Sequence, residues 1–88
     1  MRLPHFDQWE VVKITWVDSN GGRGGWHKLK PRETEIEGCT SAGMVHSQSA
    51  DRVTLVLSRE EMYDNVDGAI TIPAAAVKTV ERMVRARS

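Results

Sequence analysis

The residues with the most chemical potential stand together at 16–31, WVDSNGGRGGWHKLKP, where two tryptophans bracket an aspartate, a serine, an arginine and four glycines, and a histidine and two lysines follow. Consecutive glycines allow backbone N–H groups to converge on an anion. Arg23 and Lys28 would meet its charge, and the face of Trp26 would stack on a base for about 1–3 kcal/mol. Asp18, Ser19, Arg23, Trp26, His27 and Lys28 are therefore the candidate residues for holding a small anionic, nucleotide-like ligand.

This is not one of the established phosphate cradles. The pattern G-x-x-x-x-G-K-[ST] needs a Lys-Ser/Thr pair opening a helix, whereas Gly25 is followed by Trp26, His27, Lys28, Leu29, Lys30 and Pro31. The dinucleotide pattern G-x-G-x-x-G also fails, because His27 stands where the third glycine belongs. A hairpin tip without a ligand is the alternative for the same residues. Trp16 shares a strand face with Ile14 and is expected in the core.

Other chemistries have less to work with. His5, His27, His46 and Cys39 show no paired ligand spacing, so no metal and no cofactor is expected. Glu60, Glu61, Asp64 and Asp67 lack the ligand order of a calcium loop. The serines near His46 and Asp51 come with no nucleophile elbow, so the chain is not expected to be an enzyme. Arg59 and Tyr63, in a charged connection, suit a partner surface better than a reaction.

The elements that would position these residues are short strands. In WEVVKITWVD, Val12, Ile14 and Trp16 alternate with Val11, Lys13, Thr15 and Val17, the period of a strand. RETEIEGCTSAGMVHSQ follows as one long bent strand or two short ones, with bends expected at Gly38 and Gly43. RVTLVLS puts Val53, Leu55 and Leu57 on one face, and REEMYDNVDG is a charged connection. AITIP is a short strand, AAAV one 3₁₀ turn, and residues 76–84 either a last strand or a short helix.

With 88 residues the chain makes one small domain spanning 1–88, with 1–8 as a lead and the basic 84–88 expected to fray. The expected class is all-β: a small, strongly bent five-stranded SH3/Sm-like barrel with one short 3₁₀ or helical turn. Such a thin core favours oligomers. Twelve cations balance twelve carboxylates, which disfavours a nucleic-acid partner. No apolar run approaches the ~20 residues of a membrane span, and the first ten residues contain no secretory h-region, so cytoplasmic residence is expected.

Two resemblances add to this. The stretch from Ala42 to Met83 is similar in layout to Sm-like small β-barrels: a Gly-hydrophobic pair, an aspartate-led turn, an alternating strand, then a short strand, a turn and a closing strand. That implies RNA binding, although Pro73-Ala74-Ala75-Ala76 replaces the family's Arg-Gly-type turn. Over most of the chain, VVKITWVDSNGGRGGW, SAGMV and GAITIPAAAVKTV resemble short bacteriophage accessory proteins. This second resemblance implies a protein made in the host cytoplasm that acts against host defence. It would do so by sequestering a nucleotide-like ligand at a subunit interface or by blocking a host protein.

Overall fold

A computed structural model of the chain describes residues 1–19 and 36–83. Their backbone is all-β. The strands are β1 (Val11–Ser19), β2 (Ile36–Gln48), β3 (Arg52–Val56), β4 (Ser58–Glu60), β5 (Asn65–Asp67), β6 (Ile70–Pro73) and β7 (Val77–Arg82). A 3₁₀ turn, Ala74–Ala76, joins β6 to β7. The last segment is thus a strand, and the charged connection contains a two-stranded hairpin of its own.

Five strands form one antiparallel sheet in the order β6-β3-β2-β1-β7. Its spine is the β1–β2 ladder, in register from Val11 opposite Met44 to Ser19 opposite Ile36. β6 and β7 are the two edges, so the expected barrel is an open sheet. The connection between those edges nevertheless forces a strong curl. Edge strands of a flat five-stranded sheet lie about 19 Å apart, yet the step from Pro73 to Val77 spans at most about 14 Å of chain. Pro73, which has no N–H to donate, ends β6 at this corner.

The inner face of the curl holds the core: Phe6, Val12, Ile14, Val45, Val53, Leu55, Ile72 and Val77, with Leu3, Trp16 and Val80 packed against them. Val12 and Ile14 go inward as the alternation of β1 requires. Trp16 joins them half-buried, donating its indole N–H to Ser41 Oγ at 3.1 Å. On the outer face, cross-strand hydroxyl pairs link Thr15 to Thr79 and Thr54 to Thr71.

Two expectations are corrected. Leu57 is not a core residue: β3 stops at Val56, and Leu57 lies in a bend with 71% of its surface exposed. Residues 1–8 do more than lead into β1, because Phe6 is 3% exposed and belongs to the core. Gln48 secures that segment at both ends of its amide: Phe6 N–H donates to Oε1 at 2.7 Å, and Nε2 donates to the Pro4 carbonyl at 3.0 Å. Arg82 lies 5.2 Å from the Phe6 ring, donates to the His5 carbonyl and pairs with Glu10 at 3.0 Å.

β2 is one strand, and its irregularity falls between Val45 and Ser47 rather than at a glycine. Gly43 answers a different need. A Cβ there would stand 2.8 Å from the Val56 carbonyl oxygen, and a backbone oxygen cannot swing aside. Gly43→Ala is expected to push β2 and β3 apart and to cost about 1–3 kcal/mol. At Gly38 nothing lies within 4 Å of the added carbon. Gly38→Ala is expected to leave stability unchanged or raise it by about 0.4–1 kcal/mol through the unfolded chain. Urea unfolding of the pair checks both.

The β2–β3 turn is held by Ser49, whose hydroxyl donates to Asp51 Oδ1 at 2.6 Å, while the Asp51 carbonyl accepts from Ala74 N–H at 2.8 Å. The Ser49 hydrogen bond, helped by the residue's own N–H and by Arg52, holds the Asp51 carboxyl below the usual carboxylate range. This turn therefore favours neutral pH and weakens as pH falls through that lowered value.

Candidate functional site

Of the residues expected to hold a ligand, Asp18 is exposed one position before the end of β1, opposite Glu37, and Ser19 ends the strand. Arg23, Trp26, His27 and Lys28 lie outside the described residues. Arg59 and Tyr63 are described, and they have separate roles. Arg59 turns back onto the body of the protein, whereas Tyr63 sits in the turn of the hairpin with 69% of its surface exposed.

The hairpin, Leu57 to Gly68, forms a second sheet in which Ser58, Arg59 and Glu60 of β4 oppose Asp67, Val66 and Asn65 of β5. Its base is set by Gly68 at φ +71°, where a Cβ would stand 2.8 Å from Leu57 Cβ. Asp64, at φ 56°, closes the turn in the left-handed region that aspartate tolerates. Apart from Arg59, both strands are exposed, and Met62 at the tip is 82% exposed. Ser58, Arg59, Glu60, Asn65, Val66 and Asp67 line a groove of about 240 Å³ along it.

What ties the hairpin to the main sheet is Trp9, a residue that strand periodicity gave no reason to single out. The Arg59 guanidinium carbon lies 4.1 Å from the centroid of its ring, and the edge of His46 meets the same indole at 5.7 Å and 76°. Trp9 has φ 70°, a left-handed conformation that is a genuine outlier for a bulky side chain. Its N–H donates to the Val45 carbonyl at 2.7 Å, and Val45 N–H donates to the Glu10 carbonyl at 2.8 Å. Those bonds hold the turn that sends Phe6 inward and leaves the indole under Arg59.

Among the described residues Arg59 Nε is buried with no hydrogen-bond partner. Asp64 Oδ1 is 3.6 Å away, near enough for Coulomb attraction but beyond a hydrogen bond, and its side chain is 74% exposed. The indole face is therefore the main compensation for that nitrogen, an interaction worth about 0.5–2 kcal/mol depending on how dry it is.

A second hollow of about 350 Å³ lies among His5, Phe6, Gln8, Val45, His46, Ser47 and Gln48. Much of its polar rim is already engaged within the fold. Gln48 uses both ends of its amide, Gln8 donates to the His46 carbonyl at 3.2 Å, and His46 Nδ1 meets Ser47 Oγ at 3.0 Å. A histidine and serine on neighbouring positions of one strand, with no acid shown to orient the ring, do not compose a triad. Among the described residues no group of three or more His, Cys, Asp and Glu side chains is placed to hold a metal ion. Nor, among them, is any helix long and apolar enough to cross a membrane. Compared with protein-family models, curated proteins and solved structures, the chain gave no match.

Proposed function

We propose that this chain is a non-catalytic binding module on an SH3/Sm-like scaffold, a bacteriophage accessory protein whose contact element is the β4–β5 hairpin. Support for the scaffold comes from the strand order, with consecutive antiparallel strands in the middle and the last strand beside the first. The 3₁₀ turn before that last strand adds to it. The observation that carries the function is the exposure of three large apolar side chains on an element outside the main sheet: Leu57 at 71%, Met62 at 82% and Tyr63 at 69%. Exposed apolar side chains on an element that projects from the main sheet are what a partner surface buries.

The test replaces Tyr63 with a photoreactive phenylalanine analogue and, as a control, does the same at Thr79 on the exposed face of β7. Irradiation in the producing cell is expected to give one discrete covalent adduct from position 63 and none from 79. Equal labelling at both positions would reject the hairpin as the contact element.

A second reading, sequestration of an anionic nucleotide-like ligand, rests on the cations and the aromatic side chain of the glycine-rich segment, Arg23, Trp26, His27 and Lys28. Native mass spectrometry tests it directly: a retained nucleotide-sized mass that is lost on Trp26→Ala with Arg23→Ala supports it, and a bare chain rejects it.

A further inference from the structure

We propose that the partner of the hairpin is a protein surface on which an apolar recess is bordered by arginine or lysine side chains, one of them bridging Glu60 and Asp67. This rests on the hairpin being the contact element and adds the chemistry of what it contacts. Three observations carry it.

The first is how the hairpin divides its charge. Successive side chains of a strand point to opposite faces, and residues directly opposed in a ladder share a face. Arg59 is opposite Val66, so these two share the face that meets Trp9. Ser58 opposite Asp67, and Glu60 opposite Asn65, therefore stand on the face turned away from it. Arg59 is the one cation between Ser58 and Gly68, and it is taken up on the inner face. Among the described residues none forms an ion pair with Glu60, Glu61 or Asp67.

The second is spacing. Glu60 and Asp67 are diagonal neighbours across the β4–β5 ladder, about 7–8 Å apart. One guanidinium, with its five N–H donors fixed in a plane, can meet two carboxylates at that separation. The turn beside them carries Met62 and Tyr63, 82% and 69% exposed. A free cation would neutralise the carboxylates and leave that apolar surface in water, and a nucleic acid or an anionic membrane would be repelled. A protein surface that sets cations around an apolar recess complements both the sign and the hydrophobicity.

The third is size. The groove along the hairpin encloses about 240 Å³, below the ~300–1,000 Å³ of pockets that enclose small molecules. It has room for a side chain, and the remaining contact must come from surface around it, as it does between proteins.

The test uses the full chain, isotope-labelled for amide spectra, and as probe a short synthetic peptide in which arginine alternates with leucine. Two control peptides carry glutamate for arginine or serine for leucine. Expected are shifts concentrated on residues 57–68 and an affinity that falls with salt. Because the net charge of the chain is zero, bulk attraction does not supply that affinity. Glu60→Lys with Asp67→Lys should weaken binding about tenfold or more. Asp7→Lys with Glu81→Lys makes the same change of net charge at exposed positions elsewhere and should not. Met62→Ser with Tyr63→Ser should leave the leucine peptide binding no tighter than the serine peptide. All of these positions are exposed, and circular dichroism verifies that each variant is folded.

No binding of the arginine–leucine peptide, shifts that fall elsewhere than the hairpin, equal binding of the glutamate peptide, or equal loss from the two pairs of charge reversals overturns the proposal. So does a chain that associates with itself through the hairpin, which seats a second copy there. Cross-linking at position 63 keeps the two readings apart. An adduct mapped to a segment without arginine or lysine retains the contact element and removes the cationic partner, whereas equal labelling at 63 and 79 removes both.

Discussion

Phe6→Ala is expected to remove about 3–5 kcal/mol of folding stability, a large part of the ~5–15 kcal/mol that a folded domain holds. The ring is 3% exposed and packs in one cluster with residues of β1, β2, β3, β6 and β7. The segment carrying it is fixed by the two Gln48 hydrogen bonds and by Arg82, so the cavity left by alanine cannot easily collapse. A partially relaxed cavity is what takes the cost above the transfer free energy of the lost atoms. Arg82→Ala serves as the comparison. It removes the contact over Phe6 and the pairing with Glu10 from a side chain that is 48% exposed, and about 1 kcal/mol or less is expected. Urea unfolding followed by circular dichroism measures both. A Phe6→Ala cost no larger than that of Arg82→Ala would mean that the segment before β1 lies on the sheet without closing the core.

Local patterning in the sequence was enough to find β1, β2, β3 and β6, left β7 open between strand and helix, and was blind to the hairpin of β4 and β5. The alternation in β1 located Val12 and Ile14, the run at 53–55 located Val53 and Leu55, and the alanines after Pro73 located the 3₁₀ turn. Alternation assumes that a strand continues, and that assumption failed at Leu57. Val56 opposes Met44, beside the glycine that lets β2 and β3 approach, and the chain then bends away into the hairpin. The short strands of that hairpin are almost wholly exposed, so no apolar period announces them. Phe6 gave no signal because the residues it clusters with lie on strands distant in the chain, as far as Val77 of β7, that no local rule connects to it. Arg59 and Tyr63 were legible as surface candidates from their charged context alone. That Arg59 is taken up by Trp9 follows from a left-handed turn, for which tryptophan is the least suggestive residue.

That turn gives the second large expected effect. Trp9→Ala should cost about 1–3 kcal/mol: the stack with Arg59 is lost, the edge contact with His46 goes with it, and the guanidinium is left with the exposed Asp64 beside it. Alanine does not relieve the backbone, because a left-handed φ costs any residue with a Cβ about 1–2 kcal/mol. Glycine does relieve it. Trp9→Gly loses the same contacts and should therefore be more stable than Trp9→Ala by about 1 kcal/mol. That inverts the usual ranking of the two residues next to a strand, where glycine is the worse choice. Urea unfolding gives the ranking, and amide exchange over residues 58–67 should accelerate equally in both variants once the hairpin has lost its anchor. If alanine proved the more stable, φ at Trp9 would not be left-handed in solution. If exchange over the hairpin were unchanged, Trp9 would not be what holds it. Strained backbone persists where its surroundings over-determine it. Here the bond from Trp9 N–H to Val45, the buried Phe6 and the covering Arg59 all constrain one turn. The strain at Trp9 thus joins the closure of the core by Phe6 to the anchoring, through Arg59, of the hairpin that carries Met62 and Tyr63.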